Sequence, residues 1–140
     1  MKIYVDTSAF YAVIDENDIN HHSAAKAWTE LLGQEVELVC SNYILIETIA
    51  LLQHRLGIQA IRAFQEKIMP ILLVDWVTHE VHELAMTTLL IAARPQLSLV
   101  DCASFECMWR LDIHTAFTYD PHFSEQGFDC LPTQADRKRL

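Results

Sequence analysis

The chain has 140 residues, 51% hydrophobic and 21% charged, with only 3 Gly and 4 Pro. That length suits one domain with a core that needs no staples, and the composition excludes disordered, collagen-like and linker-dominated chains. Ten Lys and Arg against 19 Asp and Glu leave a formal charge of −9, the wrong sign for holding nucleic acid by bulk electrostatics.

Residues 2–6 read as a buried strand, and 7–15 as a short helix capped by Thr7 or Ser8. A helix follows over 20–32, with Gly33 as its stop, then a strand over 37–40. Ser41 or Asn42 caps a long helix that runs to about Leu56 and stops at Gly57. The spacing predicts another helix over 58–69, ended by Pro70, and a third strand over 71–75. Thr78 caps a helix to about Ala93. Ser98-Leu-Val-Asp101 has the form of a capping box and opens a helix to about Asp112. Residues 115–119 read as a strand, 128–131 as an edge strand, and 136–140 as a frayed tail. Strands separated by helices pair in parallel and are covered on both faces. The predicted class is therefore α/β, a three-layer α/β/α sandwich around a mostly parallel sheet, with one domain over residues 1–140.

No apolar run approaches the ~18 residues of a membrane span. The densest is Leu89–Ala93, and the N-terminal run meets Asp6 after three apolar residues. Neither a span nor a signal peptide is expected, and the domain reads as soluble and cytoplasmic. Cys40, Cys102, Cys107 and Cys130 form no C-x-x-C and read as buried thiols of a reducing compartment.

In a parallel sheet, ligands bind where strands end and loops leave for helices. Asp6 closes Ile3-Tyr-Val and Asp120 closes Phe117-Thr-Tyr, so if both strands are central and parallel the two carboxylates lie on that edge. Taken alone, Asp6 serves equally as a helix cap and Asp120, before Pro121, as a turn residue. Glu47 lies in Tyr43-Ile-Leu-Ile-Glu-Thr-Ile-Ala-Leu-Leu52, where a carboxylate must reach water, an arginine or a cation. Asp101, in the first turn of its helix, would by itself be a capping or dipole acid. Four acids converging on one edge repel one another unless divalent cations offset them. Hard cations such as Mg2+ or Mn2+ take oxygen ligands and keep waters, the arrangement used in metal-assisted phosphodiester hydrolysis.

Four segments carry a resemblance: Ile3-Tyr-Val-Asp-Thr-Ser8, the Ser41–Glu47 helix start, Leu97-Ser-Leu-Val-Asp-Cys-Ala-Ser104, and Phe117-Thr-Tyr-Asp-Pro-His-Phe123. In order and spacing the chain resembles PIN-domain ribonucleases, and among them the VapC-type toxins of toxin–antitoxin pairs. The resemblance implies a compact parallel-sheet sandwich, an acidic pocket holding Mg2+ or Mn2+, and endonucleolytic hydrolysis of RNA by metal-activated water. It implies Asp6, Glu47, Asp101 and Asp120 as the acidic set. Asp6 and Asp101 would ligate the metal directly, and Glu47 and Asp120 would act through water or at a second metal. Thr7, Ser8 and Ser98 would orient ligands through their hydroxyls. Val100 stands where the family often has Thr, and Pro121 where Arg or Lys is common. The second change removes a cation that could contact phosphate.

Arg55, Arg62, Lys67, Arg94 and Arg110 are the candidates for an RNA-facing strip, although scattered solubilising charge explains them equally well. His79 and His82 read as a solvated helix face beside Glu80 and Glu83, and His21 and His22 as surface. The apolar stretches 44–56 and 58–69 exceed what one small core needs, which points to a homodimer or a groove for an antitoxin segment. Two other readings stand beside the ribonuclease: a catalytically silent metal-binding interaction domain, and a phosphoryl-transfer enzyme with Asp6 as nucleophile. The latter wants a second Asp two positions on, where this chain has Ser8.

Overall fold

The computed structural model describes residues 1–137. Five strands are joined by helices: β1 (Lys2–Val5), β2 (Glu37–Ser41), β3 (Leu72–Asp75), β4 (Thr115–Phe117) and β5 (Asp129–Leu131). Every pairing is parallel and the order is β3-β2-β1-β4-β5, so the α/β sandwich is as expected and its sheet is wholly parallel. The register sets Val5 beside Phe117 and Ser41 beside Asp75. All strand C-termini therefore lie on one edge.

The helices are α1 (Thr7–Ile14), α2 (His21–Leu32), α3 (Asn42–Arg55), α4 (Ile58–Ala63), α5 (His79–Ala92), α6 (Leu99–Arg110), α7 (Pro121–Glu125) and α8 (Gln134–Arg137). Packing assigns them to two faces. On one, Phe10 of α1 meets Trp28 of α2 and Phe64, and Trp28 lies 6.5 Å from Phe117 of β4. On the other, Tyr4 of β1 donates to Ser104 of α6 at 2.8 Å, and Phe105 of α6 stacks edge-on with Phe123 of α7 at 5.0 Å. Tyr4, Phe10, Phe64, Phe105, Phe117 and Phe123 are fully buried, and burial of such side chains supplies most of the driving force.

Several boundaries differ from the sequence reading, each for a local reason. Asp6, not Thr7 or Ser8, caps α1. The helix expected over 58–69 stops at Ala63 and widens into a π-helical turn over Phe64–Ile68, followed by a 3-10 turn over Met69–Ile71. Pro70 has no N–H for the carbonyl one turn back and crowds it, so the α-helical ladder cannot continue. The wider turn keeps Phe64 and Ile68 both in the core. Gly57, with φ of 87°, ends α3 in a conformation costly for other residues. The fourth strand stops at Phe117, although Thr118 N still donates to Leu131 O at 3.0 Å, and the hydroxyls of Thr118 and Tyr119 turn to Asp6 and Ser23. The sequence reading missed α7, although Asp-Pro is an N-cap followed by proline at the first helical position.

Of the expected frayed tail, residues 136 and 137 close α8, and residues 138–140 lie outside the described residues. Cys40, Cys102 and Cys107 are buried, whereas Cys130 is half-buried. His82 is not simply solvated, since Tyr43 lies 2.5 Å from its Nδ1. His21 likewise has Ala12 O 2.7 Å from its Nδ1.

Candidate active site

β1 crosses over to β2 on one side of the sheet, while β4 leads to β5 on the other. The gap between the ends of β1 and β4 is thus a topological switch point, where the loops diverge and leave a crevice. Asp6 follows β1 directly, and Thr118, Tyr119 and Asp120 follow β4.

Asp6 is 4% exposed. Its Oδ2 accepts from Ser8 Oγ at 2.6 Å, Ser8 N at 3.3 Å and Thr118 Oγ1 at 3.0 Å. Ser8 Oγ in turn accepts from Tyr119 N at 2.9 Å, and Thr118 Oγ1 accepts from Asp120 N at 2.9 Å. This network stitches the end of β1 to the end of β4. Asp120 caps α7, taking the His122 N–H on Oδ1 at 2.9 Å. Asp101 and Ser98 form a reciprocal capping box, each side chain accepting from the other's backbone N–H at 3.0 Å. Glu47 projects half-buried from α3, one residue before Thr48, which donates to Thr7 Oγ1 at 3.0 Å. Thr7 Oγ1 also donates to Ile44 O at 3.4 Å, fixing the start of α1 against α3. Asp6, Asp101 and Asp120 therefore each cap a helix, which accounts for each singly.

Their electrostatics tie them together. Burial pushes the Asp6 carboxyl up, hydrogen bonds from Ser8 and Thr118 pull it back, and the charge of Asp120 pushes it up again. Burial likewise raises Glu47, against the Thr7 hydroxyl and with the charges of Asp6 and Asp120. Asp101 is pushed up to about 7 by burial, then by Asp120 and Asp6, against the Ser98 hydrogen bonds. Asp120 thus bears on all three other acids and Asp6 on two. The structure brings the four predicted acids into one electrostatic unit.

Among the described residues, no three His, Cys, Asp or Glu side chains meet in metal-ligating geometry. The donor set nevertheless fits a hard cation in kind. Protein donors occupy Oδ2 of Asp6 and Asp101 and Oδ1 of Asp120. The second oxygen of each has none among the described residues. Mg2+ keeps several waters and needs only one or two carboxylates directly, so it does not require a closed protein cage.

The five cations expected as a strip have separate surroundings instead. Arg55 lies 5.2 Å over the Tyr11 ring, Arg94 pairs with Glu125 at 3.0 Å, and Arg110 pairs with Asp75. Arg62 and Lys67 are exposed on α4 and the turn after it. Thr118, Thr48 and His122 were not among the predicted site residues. Thr118 was legible as a polar residue two before Asp120 at a strand end, whereas the pairing of Thr48 with Thr7 spans 41 residues and left no local signal. A cavity of about 320 Å3 opens beside Asp120 and is lined also by Ser124, Thr133 and Arg137. Another of about 250 Å3, under α2 against Ile3 and Leu131, contains none of the four acids.

A parallel sheet with this strand order and acids at its switch point defines a class, and the sequence agrees. The chain belongs to the PIN domain family, whose profile matches residues 3–129. It is 32% identical over 127 residues to the 23S rRNA-specific endonuclease VapC20 of Mycobacterium tuberculosis, covering 90% of this chain and 95% of that one. The crystal structure of that Mycobacterium tuberculosis VapC20, described as a sarcin-ricin loop cleaving toxin, superposes with a TM-score of 0.80 at 31% identity, over 90% of this chain and 95% of the other. VapBC2 from Rickettsia felis, bound to a promoter DNA fragment, has a TM-score of 0.68 at 13% identity, covering 93% of this chain and 97% of its own. FitAcB from Neisseria gonorrhoeae has a TM-score of 0.63 at 13% identity, covering 93% and 96%. At that identity the last two show the fold alone.

Proposed function

We propose that this protein is a divalent-cation-dependent endoribonuclease and the toxin of a toxin–antitoxin pair, acting in the cytoplasm. The observation that carries this reading is the placement of Asp6 and Asp120 at the switch point, joined through the Thr118 hydroxyl, with the charges of both bearing on Glu47 and Asp101. Likeness to an rRNA endonuclease over 90% of the chain supports it.

Asp6 and Asp101 would hold Mg2+ or Mn2+ directly, and Glu47 and Asp120 would act on it through water. When bound, the cation supplies charge stabilisation to the transferring phosphoryl group and lowers the pKa of the attacking water. The chain's own groups do the positioning. Ser8 and Thr118 fix the rotamer of Asp6, Ser98 fixes Asp101, and Thr7 holds the α1–α3 junction beside Glu47. Burial and mutual repulsion keep these acids ready to take up a cation, because the cation relieves what raises their pKa values.

RNA is the substrate and an antitoxin protein the partner. Ile46 and Ile58 are 66% and 56% exposed on α3 and α4, and Leu90 and Ile91 are 71% and 80% exposed on α5. Such apolar surface supports burial against a second copy, an antitoxin segment, or both. Among the described residues no helix is long and apolar enough to cross a membrane.

The test is cleavage of an RNA panel that includes 23S rRNA, by protein free of any antitoxin, with Mg2+ or Mn2+, beside Asp101→Asn. Metal-dependent cutting that the variant loses is expected. Cation binding without cutting of any RNA would favour the catalytically silent interaction domain.

A further inference from the structure

We infer that Arg137 forms a phosphate-binding subsite that holds the RNA backbone beside the acidic edge. This rests on the ribonuclease reading and names the group that lets an acidic protein grip its substrate. With a net charge of −9 and four acids at the site, a polyanion approaches against the field. Pro121 follows Asp120, so the chain offers no cation directly after its fourth acid. Arg94 and Arg110 are each neutralised by a carboxylate.

Arg137 differs from them. Its partners are carbonyls and an aromatic face: Nε donates to Pro132 O at 3.0 Å, a terminal nitrogen donates to Thr118 O at 2.6 Å, and the guanidinium lies 4.8 Å over the Tyr119 ring. It makes no ion pair among the described residues, so its charge is fixed in place without being cancelled. Of its five N–H donors two are used, and the rest remain for an anion, for which the planar fork is well matched. The platform is itself held, since the Tyr119 hydroxyl lies 2.5 Å from Ser23 Oγ.

The location fits as well. Arg137 and Asp120 line the same cavity of about 320 Å3, with Ser124, Thr133, Gln134 and a second carboxylate, Asp129, as further polar walls, so Arg137 is the cation there that an anion can reach. Thr118 accepts Arg137 on its carbonyl and donates to Asp6 through its hydroxyl, so a single residue separates the guanidinium from the first acid. A phosphodiester adjacent to the scissile one would lie on Arg137 while the scissile phosphate faces the acids. That arrangement pairs positioning with chemistry.

The experiment measures binding of a short mixed-sequence single-stranded RNA across a range of salt, in an Asp101→Asn background that does not cut it. Arg137, Arg137→Lys and Arg137→Gln are compared, with thermal unfolding of each. Arg137→Gln keeps a donor for Thr118 O but no charge. It is expected to bind about tenfold more weakly, the low end for a charge-assisted hydrogen bond, and to lower the slope of log affinity against log salt by about 0.7. Arg137→Lys is expected to keep the slope and lose part of the affinity, because it retains charge without the fork. A folded Arg137→Gln with unchanged affinity and slope would overturn the subsite and leave Arg137 as a clamp for α8. If the parent protein, with Asp101 intact, cuts no RNA with Mg2+ or Mn2+, the ribonuclease reading falls and the subsite with it.

Discussion

Thr118 Oγ1 donates to Asp6 Oδ2 at 3.0 Å and accepts from the Asp120 N–H at 2.9 Å. One buried hydroxyl thus joins the acid after β1 to the acid after β4. An arginine in its place would hold the same carboxylate while cancelling its charge. The neutral hydroxyl fixes geometry and leaves the negative field intact for a cation.

Replacing that hydroxyl tests the join. Thr118→Val keeps the shape but strands the Asp120 N–H and removes a donor from Asp6. Leaving such groups unpaired costs about 2–3 kcal/mol, or roughly 5–10 °C in Tm for a chain of this size. Thr118→Ser should recover most of both stability and cleavage. An unshifted melting curve for Thr118→Val would mean that the hydroxyl holds nothing together.

The raised acids set how stability depends on pH. In the cation-free folded chain Asp6, Glu47 and Asp101 hold protons that the unfolded chain has released, Asp101 up to about 7. Folding therefore takes up protons between about 4, the unfolded carboxyl value, and the folded values. The contribution of these acids to stability is full below about 4 and, for Asp101, is lost as pH rises through about 7. Chelator-treated protein should melt at higher temperature at pH 5 than at pH 8, and adding Mg2+ or Mn2+ at pH 8 should restore most of the difference. A Tm that climbs from pH 5 to 8 without cation would contradict the raised values.

Asp101→Asn separates stability from activity. Asn can still accept the Ser98 N–H through its Oδ1, so the capping box survives, and it carries no charge to bury. In the absence of cation the variant should be at least as stable as the parent at pH 8. Its cleavage should fall by about 100-fold or more, the effect of losing several kcal/mol of transition-state stabilisation. Loss of fold together with loss of cleavage would instead make Asp101 a structural acid.

Much of this was readable in the sequence because local rules sufficed. All five strands and the larger helices follow from apolar runs and caps, and the four acids stand out at strand ends, in a capping box or in an apolar helix. What was not readable depends on contacts far apart in the chain. The strand order brings Asp6 and Thr118 together across 112 residues. Arg137, read as tail, is fixed only because Thr118 and Tyr119 are presented to it. The pairing of Arg94 with Glu125 and of Arg110 with Asp75 was hidden for the same reason: which distant carboxylate stands beside an arginine is set by the fold.

His122 shows how such contacts set the site. It is buried, its Nε2 lies 3.2 Å from Gln96 O, and its Nδ1 has no hydrogen-bond partner among the described residues. On the same two segments Arg94 pairs with Glu125. Both contacts tie α7, which Asp120 caps, to the loop that delivers Ser98 and Asp101. The buried one should matter more. His122→Leu should lower stability by about 1–3 kcal/mol by leaving Gln96 O unpaired, and should slow cleavage by letting Asp120 drift from Asp101. Arg94→Ala should change little alone, because an exposed ion pair gains little in water. Made together, the two should cost more activity than the separate losses add up to, since either tie alone can hold the segments in register. Strictly additive losses would show that the two contacts act on the site independently.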